Sequence, residues 1–476
     1  MLKRISKCFA IIVCLFLISD APIFAQHNIE FQIDNYEKDS VVVGYYVLDK
    51  QLVHDTLTTK ETGKFILNDT LSPGVYILLT LPDNEFLQFI VNKDEPSFKM
   101  YFDFKDKTKV KFTGSKDNQV FQDYVDFLGK IRPQAQALRD TIAALTEQGL
   151  NVDAFQKELD QIDQTVLETQ QKVINENPDL ISTLLLKANL EIDLPEFDNT
   201  EKGQIAQYLY YRDHYFDHIE MGNPNSLRTP FLFSRVDYFI KKLTSNSPDS
   251  ITKSIDIVLE LMEPAEETYR YYLSNFLNEY IQTKIIGYDA VFVHLVDKYY
   301  AKDKAPWVEE ENLLKILDRA KRIKPVLLGK TAPDIMVYDE DGEPISIDSI
   351  DYEYLVLLFW SPDCGHCKKT MPEFVEFNEK FKDKGIKTFA ICTKFKDKTK
   401  ECWEMVKEKN MLGFYNGADE FHKSRFKIKY NVDTTPKVFV LDKNREILMK
   451  NIAASQLERV FEEISKIQEE ERLDNK

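Results

Sequence analysis

Cys364-Gly365-His366-Cys367 lies between an apolar run, Tyr354–Trp360, and a segment whose Phe374, Phe377 and Phe381 recur at helical spacing. The run reads as a buried strand, so the first sulfur falls at a helix N-terminus. Unpaired backbone N–H groups and the helix dipole stabilise a thiolate there, which is what thiol–disulfide exchange requires. By position Cys364 is the nucleophile and Cys367, one turn inside, the resolving thiol. His366 can stabilise the thiolate as a cation or hydrogen-bond donor. Asp363 pushes the other way, because a neighbouring negative charge raises a thiol pKa. Trp360 is expected to pack beneath the motif and shield it. Half a zinc site and a static buried disulfide are the alternatives, but no second C-x-x-C or His pair follows at zinc spacing.

The elements that must hold this motif occupy the end of a chain of 476 residues with a formal charge of -17. That length suggests about three domains. The acidic balance and lack of a basic stripe argue against nucleic acid, and the lysine-rich stretches 380–387 and 394–400 read as solvated surface. Lys3, Arg4 and Lys7, the apolar stretch from Phe9 to Ile18, and Ile23-Phe24-Ala25 read as a secretory signal (residues 1–25) cut before Gln26; an uncleaved membrane anchor is the alternative. Cleavage removes Cys8 and Cys14. Cys364, Cys367, Cys392 and Cys402 remain, clustered in the last third, which suits redox chemistry better than a disulfide scaffold.

Residues 26–115 alternate apolar and polar residues in short runs such as Ile29–Ile33, Val41–Val47 and Val75–Leu81, separated by turn residues. They predict an all-β, sandwich-like domain. Residues 116–326 change to helical periodicity and predict an all-α domain, with a hairpin turning at Gly149-Leu150-Asn151 and a helix over Gln204–Ile219. Tyr208, Tyr211 and Tyr215 read as core. His214 and His218 fall four apart on that helix, a metal-compatible spacing with no third ligand evident, so no metal site is assigned. Residues 327–476 alternate strands and helices before a final hairpin and helix, an α/β pattern.

This order resembles the thioredoxin fold, and within it the exported ResA/TlpA-like redoxins. The resemblance covers about residues 327–470. It rests on Gly329-Lys330-Thr331-Ala332-Pro333-Asp334, on Phe359–Lys369 around the cysteines, on Pro372 eight residues after Cys364, and on Thr434-Thr435-Pro436 before an apolar strand. It implies a redoxin whose cofactor is none beyond a redox-active Cys364–Cys367 disulfide. Its partners would be protein thiols and disulfides in the periplasm, with an upstream electron donor or acceptor serving cell redox homeostasis. It also implies that Pro436 is cis and that Thr435 and Pro436 present backbone to a bound peptide. The Gly365-His366 pair is the one found in protein disulfide isomerases. The upstream domains resemble regions of unassigned role that precede such redoxins.

Two positions depart from the pattern. Leu358 stands where thioredoxins carry a buried Asp, and Thr370 where ResA-like proteins carry a Glu. Either carboxylate would move the resolving thiol's proton; Glu373 is a conceivable substitute, though its helical position points to water. Cys392 and Cys402 read as free buried thiols, with a second, regulatory disulfide as the alternative. Two other functions compete: a thiol peroxidase of the same fold, for which Ser361 has the right spacing, and a partner-binding or assembly factor with the redoxin domain as accessory.

Overall fold

The computed structural model describes residues 26–80 and 85–474. The expected signal at 1–25, with Cys8 and Cys14, lies outside the described residues. The chain divides into two compact units, one running through Leu243 and taking in Leu261–Tyr269, the other made of Thr244–Glu260 and Arg270 onward.

The first unit opens with strands β1 Gln26–Asp34, β2 Ser40–Val47, β3 Lys50–Thr58, β4 Lys64–Thr70, β5 Gly74–Thr80, β6 Glu85–Val91, β7 Ser97–Asp103 and β8 Asp106–Thr113. They form one sheet in the order β4-β1-β7-β8 and another in the order β3-β2-β5-β6. Period-two alternation sends Ile29, Phe31 and Ile33 of β1 and Val41 and Val43 of β2 into one shared core with Phe65, Leu78, Phe89 and Phe102, a sandwich. Strand β3 has no counterpart in the sequence reading. Its residues are almost all exposed at a sheet edge, so no buried face marks it.

Helices α1 Lys116–Glu147 and α2 Asp153–Glu176 form the expected hairpin, followed by α3 Ile181–Lys187, α4 Glu201–Asp213 and α5 Leu232–Lys242. Ser115 caps α1 by accepting the Asn118 N–H at 3.1 Å. The buried Asp117 carboxylate accepts the N–H groups of Ile181 at 2.9 Å and Ser182 at 2.8 Å, so an anion meets the positive end of α3. Helix α4 ends at Asp213, short of the expected Ile219. His214 is its C-cap and turns back to Asp217 at 2.7 Å, so His214 and His218 do not share a helical face. Of the three tyrosines read as core, Tyr215 is buried but Tyr208 is 43% exposed and Tyr211 half-buried.

Helices α6 Pro248–Met262, α7 Glu266–Gln282, α8 Asp289–Lys298 and α9 Glu310–Ile323 lead to the last domain. It comprises β9 Met336–Tyr338, β10 Pro344–Ser346, β11 Tyr354–Trp360, α10 Gly365–Phe381, β12 Ile386–Cys392, α11 Thr399–Glu408, β13 Tyr415–Ala418, α12 Phe426–Lys429, β14 Lys437–Asp442, β15 Ile447–Lys450 and α13 Leu457–Asp474. The sheet order is β10-β9-β13-β12-β11-β14-β15. Strand β11 runs through its middle, parallel to β12 and antiparallel to β14, buried on both faces. Leu355, Leu357 and Phe359 join one core with Phe426, Tyr430 and Phe439. Val356, Leu358 and Trp360 join the opposite core, where α10 contributes Cys367, Met371, Phe374, Phe377 and Phe381. Strand β13 is a second element absent from the sequence reading. It is four residues long, and its Gly417 is required because a Cβ there would stand 2.3 Å from Val337. The chain thus has an all-β N-terminal part, a helical middle and a C-terminal α/β thioredoxin fold.

Candidate active site

Three segments converge on the dithiol. Strand β11 delivers the chain to Ser361-Pro362-Asp363; Cys364 is the N-cap of α10; and the Thr435-Pro436 peptide, just before β14, is cis. The Cys364 sulfur accepts the Cys367 N–H at 3.1 Å, as a capping side chain does. The same sulfur lies 3.1 Å from the Thr435 carbonyl oxygen, to which the thiol donates. Helical periodicity then sets Cys367 on the face that carries Met371, Phe374, Asn378 and Phe381 into the core, with 0% exposure, while Cys364 is half-buried.

This placement separates the two thiols. Partial burial works against ionisation of Cys364. Hydrogen bonds from the Cys367 side chain and backbone, and then from the Thr435 side chain and the His366 backbone, outweigh it, so its pKa lies below the ordinary value. Cys367 is pushed up to about 12, by burial first and by donating to the Cys364 sulfur second. One sulfur is partly accessible and ionises more readily than an ordinary thiol; the other is buried behind it and held in its protonated form.

The other sequence-predicted residues fall around this pair. Trp360 is 1% exposed in the core that holds Cys367, and its Nε1 has no hydrogen-bond partner among the described residues. Asp363 is exposed and forms an ion pair with Lys394, which holds its carboxyl below the usual range. His366 is exposed, and its hydrogen-bond contribution at Cys364 comes from its backbone rather than its imidazole. Gly365 has open space where a Cβ would go, so nothing steric requires glycine there. Leu358 is fully buried, Thr370 donates its hydroxyl to the His366 carbonyl at 3.0 Å, and Glu373 is exposed. None of these three positions supplies a carboxylate to Cys367.

The expectation of two free thiols at Cys392 and Cys402 is corrected. They form a disulfide, with Cα atoms 6.2 Å apart, within the range that needs no backbone movement. The end of β12 and the first turns of α11 are adjacent in space, which periodicity alone does not reveal.

Beside the dithiol runs a groove of about 550 Å³ whose walls include His366, Thr370, Phe374, Thr435, Pro436 and Lys437. The sequence reading missed Lys437. Burial pushes its pKa down to about 8, against the opposing field of Asp433, and its ammonium donates to the Asn431 carbonyl. A lysine opening the otherwise apolar Lys437–Leu441 directly after the proline was the available signal. Lys450 is likewise buried, 2.5 Å from Asp289 and 2.7 Å from the Val326 carbonyl, joining β15 to α8.

Residues 328–449 match the AhpC/TSA family model. The thiol-disulfide oxidoreductase ResA of a Bacillus cereus strain is 27% identical over 140 residues, which are 29% of this chain and 78% of that protein. A solved domain of a possible thiol-disulfide isomerase from Cytophaga hutchinsonii is 32% identical over 32% of this chain and 97% of its own, with a TM-score of 0.28. A thioredoxin-like protein from Bacteroides caccae is 15% identical and covers 57% of this chain and 98% of its own, with a TM-score of 0.42. The family match and the ResA relatives fall on the domain that holds the dithiol: the C-terminal region of this chain is a ResA/TlpA-like redoxin, a thiol–disulfide oxidoreductase of the thioredoxin fold.

Proposed function

We propose that this protein is an exported, periplasmic enzyme that exchanges disulfides with protein partners through Cys364-Gly365-His366-Cys367. The observation that carries this reading is the 3.1 Å hydrogen bond from the Cys367 N–H to the Cys364 sulfur, joined to the opposite pKa shifts of the two thiols. The Cys364 thiolate attacks one sulfur of a partner disulfide. A mixed disulfide forms and the partner's other sulfur leaves as a thiolate. Cys367 then loses its proton and attacks Cys364. The intramolecular disulfide forms, and the partner leaves with both sulfurs reduced. Two electrons have passed from the dithiol to the partner, and an upstream dithiol donor must return them; run backwards, the cycle oxidises a partner dithiol. No cofactor beyond the Cys364–Cys367 pair enters these steps. The groove and the backbone at Thr435-Pro436 would seat the partner's extended segment.

Export is supported by the basic and apolar N-terminal sequence and by the redox chemistry itself. Among the described residues, no helix is long and apolar enough to cross a membrane. Reduction of insulin disulfides tests the exchange activity. The native protein is expected to accelerate it and Cys364→Ser to abolish the acceleration; equal rates would reject the reading.

The AhpC/TSA match favours a second reading, a thiol peroxidase with Cys364 as the peroxide-reactive sulfur and Ser361 three residues before it. Sulfenic acid formation at Cys364 by peroxide, far faster than in free cysteine, would support it.

A further inference from the structure

The residues between Cys392 and Cys402 form a loop closed at its base by the disulfide, and that loop carries Lys394. The Lys394 side chain is 13% exposed, and its ammonium pairs with Asp363 and lies 3.7 Å from Glu401 of α11. Asp363 is the residue immediately before Cys364. Left alone, its carboxylate would oppose a thiolate on the next residue. Lys368 of α10 and Lys398 of the loop also face Asp363, yet Lys394 is the cation that hydrogen-bonds it. Around Cys364 itself stand Cys367, Thr435 with its side chain and its carbonyl, and the His366 backbone. Further bonds anchor the loop: the Thr393 N–H donates to the Trp360 carbonyl at 2.8 Å and the Lys396 N–H to the Glu420 carbonyl at 3.1 Å.

We propose that Lys394 is a positioning residue for the thiol chemistry: it neutralises Asp363 beside the nucleophile, and the Cys392–Cys402 disulfide fixes the loop that carries it. The inference rests on Cys364 being the attacking thiol. The disulfide is a clamp and does not turn over, since Cys392 is 1% and Cys402 0% exposed, out of reach of a solvent thiol. Closing the loop restricts where the lysine can go, and a preset ion pair keeps the field at Cys364 constant while the partner approaches.

The test is the pH profile of Cys364 alkylation by iodoacetamide, with the active site reduced. Lys394→Ala is expected to move the midpoint upward and slow alkylation at pH 7 by roughly threefold to tenfold. Lys394→Arg should keep the native profile, and Asp363→Asn added to Lys394→Ala should restore the rate. Cys392→Ala/Cys402→Ala, or the corresponding double serine protein if the alanines do not fold, should slow alkylation too, and adding Lys394→Ala should slow it no further. A native profile in Lys394→Ala, while native Cys364 still outruns free cysteine at pH 7, would overturn this proposal alone. A native Cys364 no faster than free cysteine would overturn the functional reading and the proposal with it.

Discussion

The Cys367 backbone N–H donates to the Cys364 sulfur across 3.1 Å, while the Cys367 thiol itself lies buried one turn inside the same helix. One residue thus serves twice. In the proposed cycle its backbone stabilises the attacking thiolate, and its side chain stays protonated until the mixed disulfide forms. This pairing supports the proposed catalytic order: Cys364 first, Cys367 second.

Cys367→Ser should therefore hold a partner on Cys364 as a mixed disulfide, because the serine hydroxyl cannot release it. Non-reducing electrophoresis of the variant with a disulfide substrate is expected to show a reducible adduct, absent from Cys364→Ser/Cys367→Ser. Steady turnover should fall by about 100-fold or more in either single variant.

The stability of the reduced protein should follow the two thiols in opposite directions. Cys364 has a lowered folded pKa, so its contribution is present above its ordinary value near 9 and is lost as pH falls through the folded value. Cys367, raised to about 12, acts in reverse: from pH 9 upward the unfolded chain has lost a proton that the folded one keeps, so stability falls. The stability of the reduced protein relative to Cys364→Ser/Cys367→Ser, from urea melts across pH, should peak near the ordinary thiol value and decline above it. A steady rise beyond that point would contradict the assignment of Cys367.

Lys437 offers a separate pH signal in the oxidised protein, where the active-site thiols no longer titrate. Its folded pKa of about 8 is below that of an ordinary lysine, so the unfolded chain binds more protons between the two values. Stability from this group is present above the unfolded value, about 10.4, and is lost as pH falls toward 8. Lys437→Met should flatten that slope and stabilise the oxidised protein at pH 7 by about 1–2 kcal/mol, after allowing for the lost bond to Asn431. A lower melting temperature in the variant would contradict burial as the dominant cause.

Phe359→Ala should separate fold from chemistry. The ring is buried between Phe426, Tyr430 and Phe439, on the face of β11 opposite Cys367. Removing it should cost about 3–5 kcal/mol in denaturant melts. Alkylation of Cys364 in the folded variant should stay within roughly twofold of native, since the cap at α10 is untouched.

The dithiol was legible because strand, cap and helix follow one another in sequence, and each has its own periodic signal. The same holds for the α1–α2 hairpin and for β14, whose apolar runs and turns are local. Legibility failed where position depends on distant partners. Strand β3 sits at an edge with little burial, and β13 is too short to show a period. Cys392 and Cys402 are brought together only when α11 packs beside β12. Lys394 sat in a lysine-rich stretch read as solvated surface, and only the fold brings it to Asp363. The helical periodicity that takes in His214 and His218 runs on past the true helix end, because aromatic residues continue after Asp213 although the backbone has turned.

The most direct measurement is the rate of Cys364 alkylation against pH in the reduced native protein, with the modified site identified by mass spectrometry. The expected result is a midpoint below the ordinary cysteine value near 9, with label on Cys364 and none on Cys367 at neutral pH. A midpoint at or above that value, or label arriving first on Cys367, would contradict the assignment of nucleophile and resolving thiol.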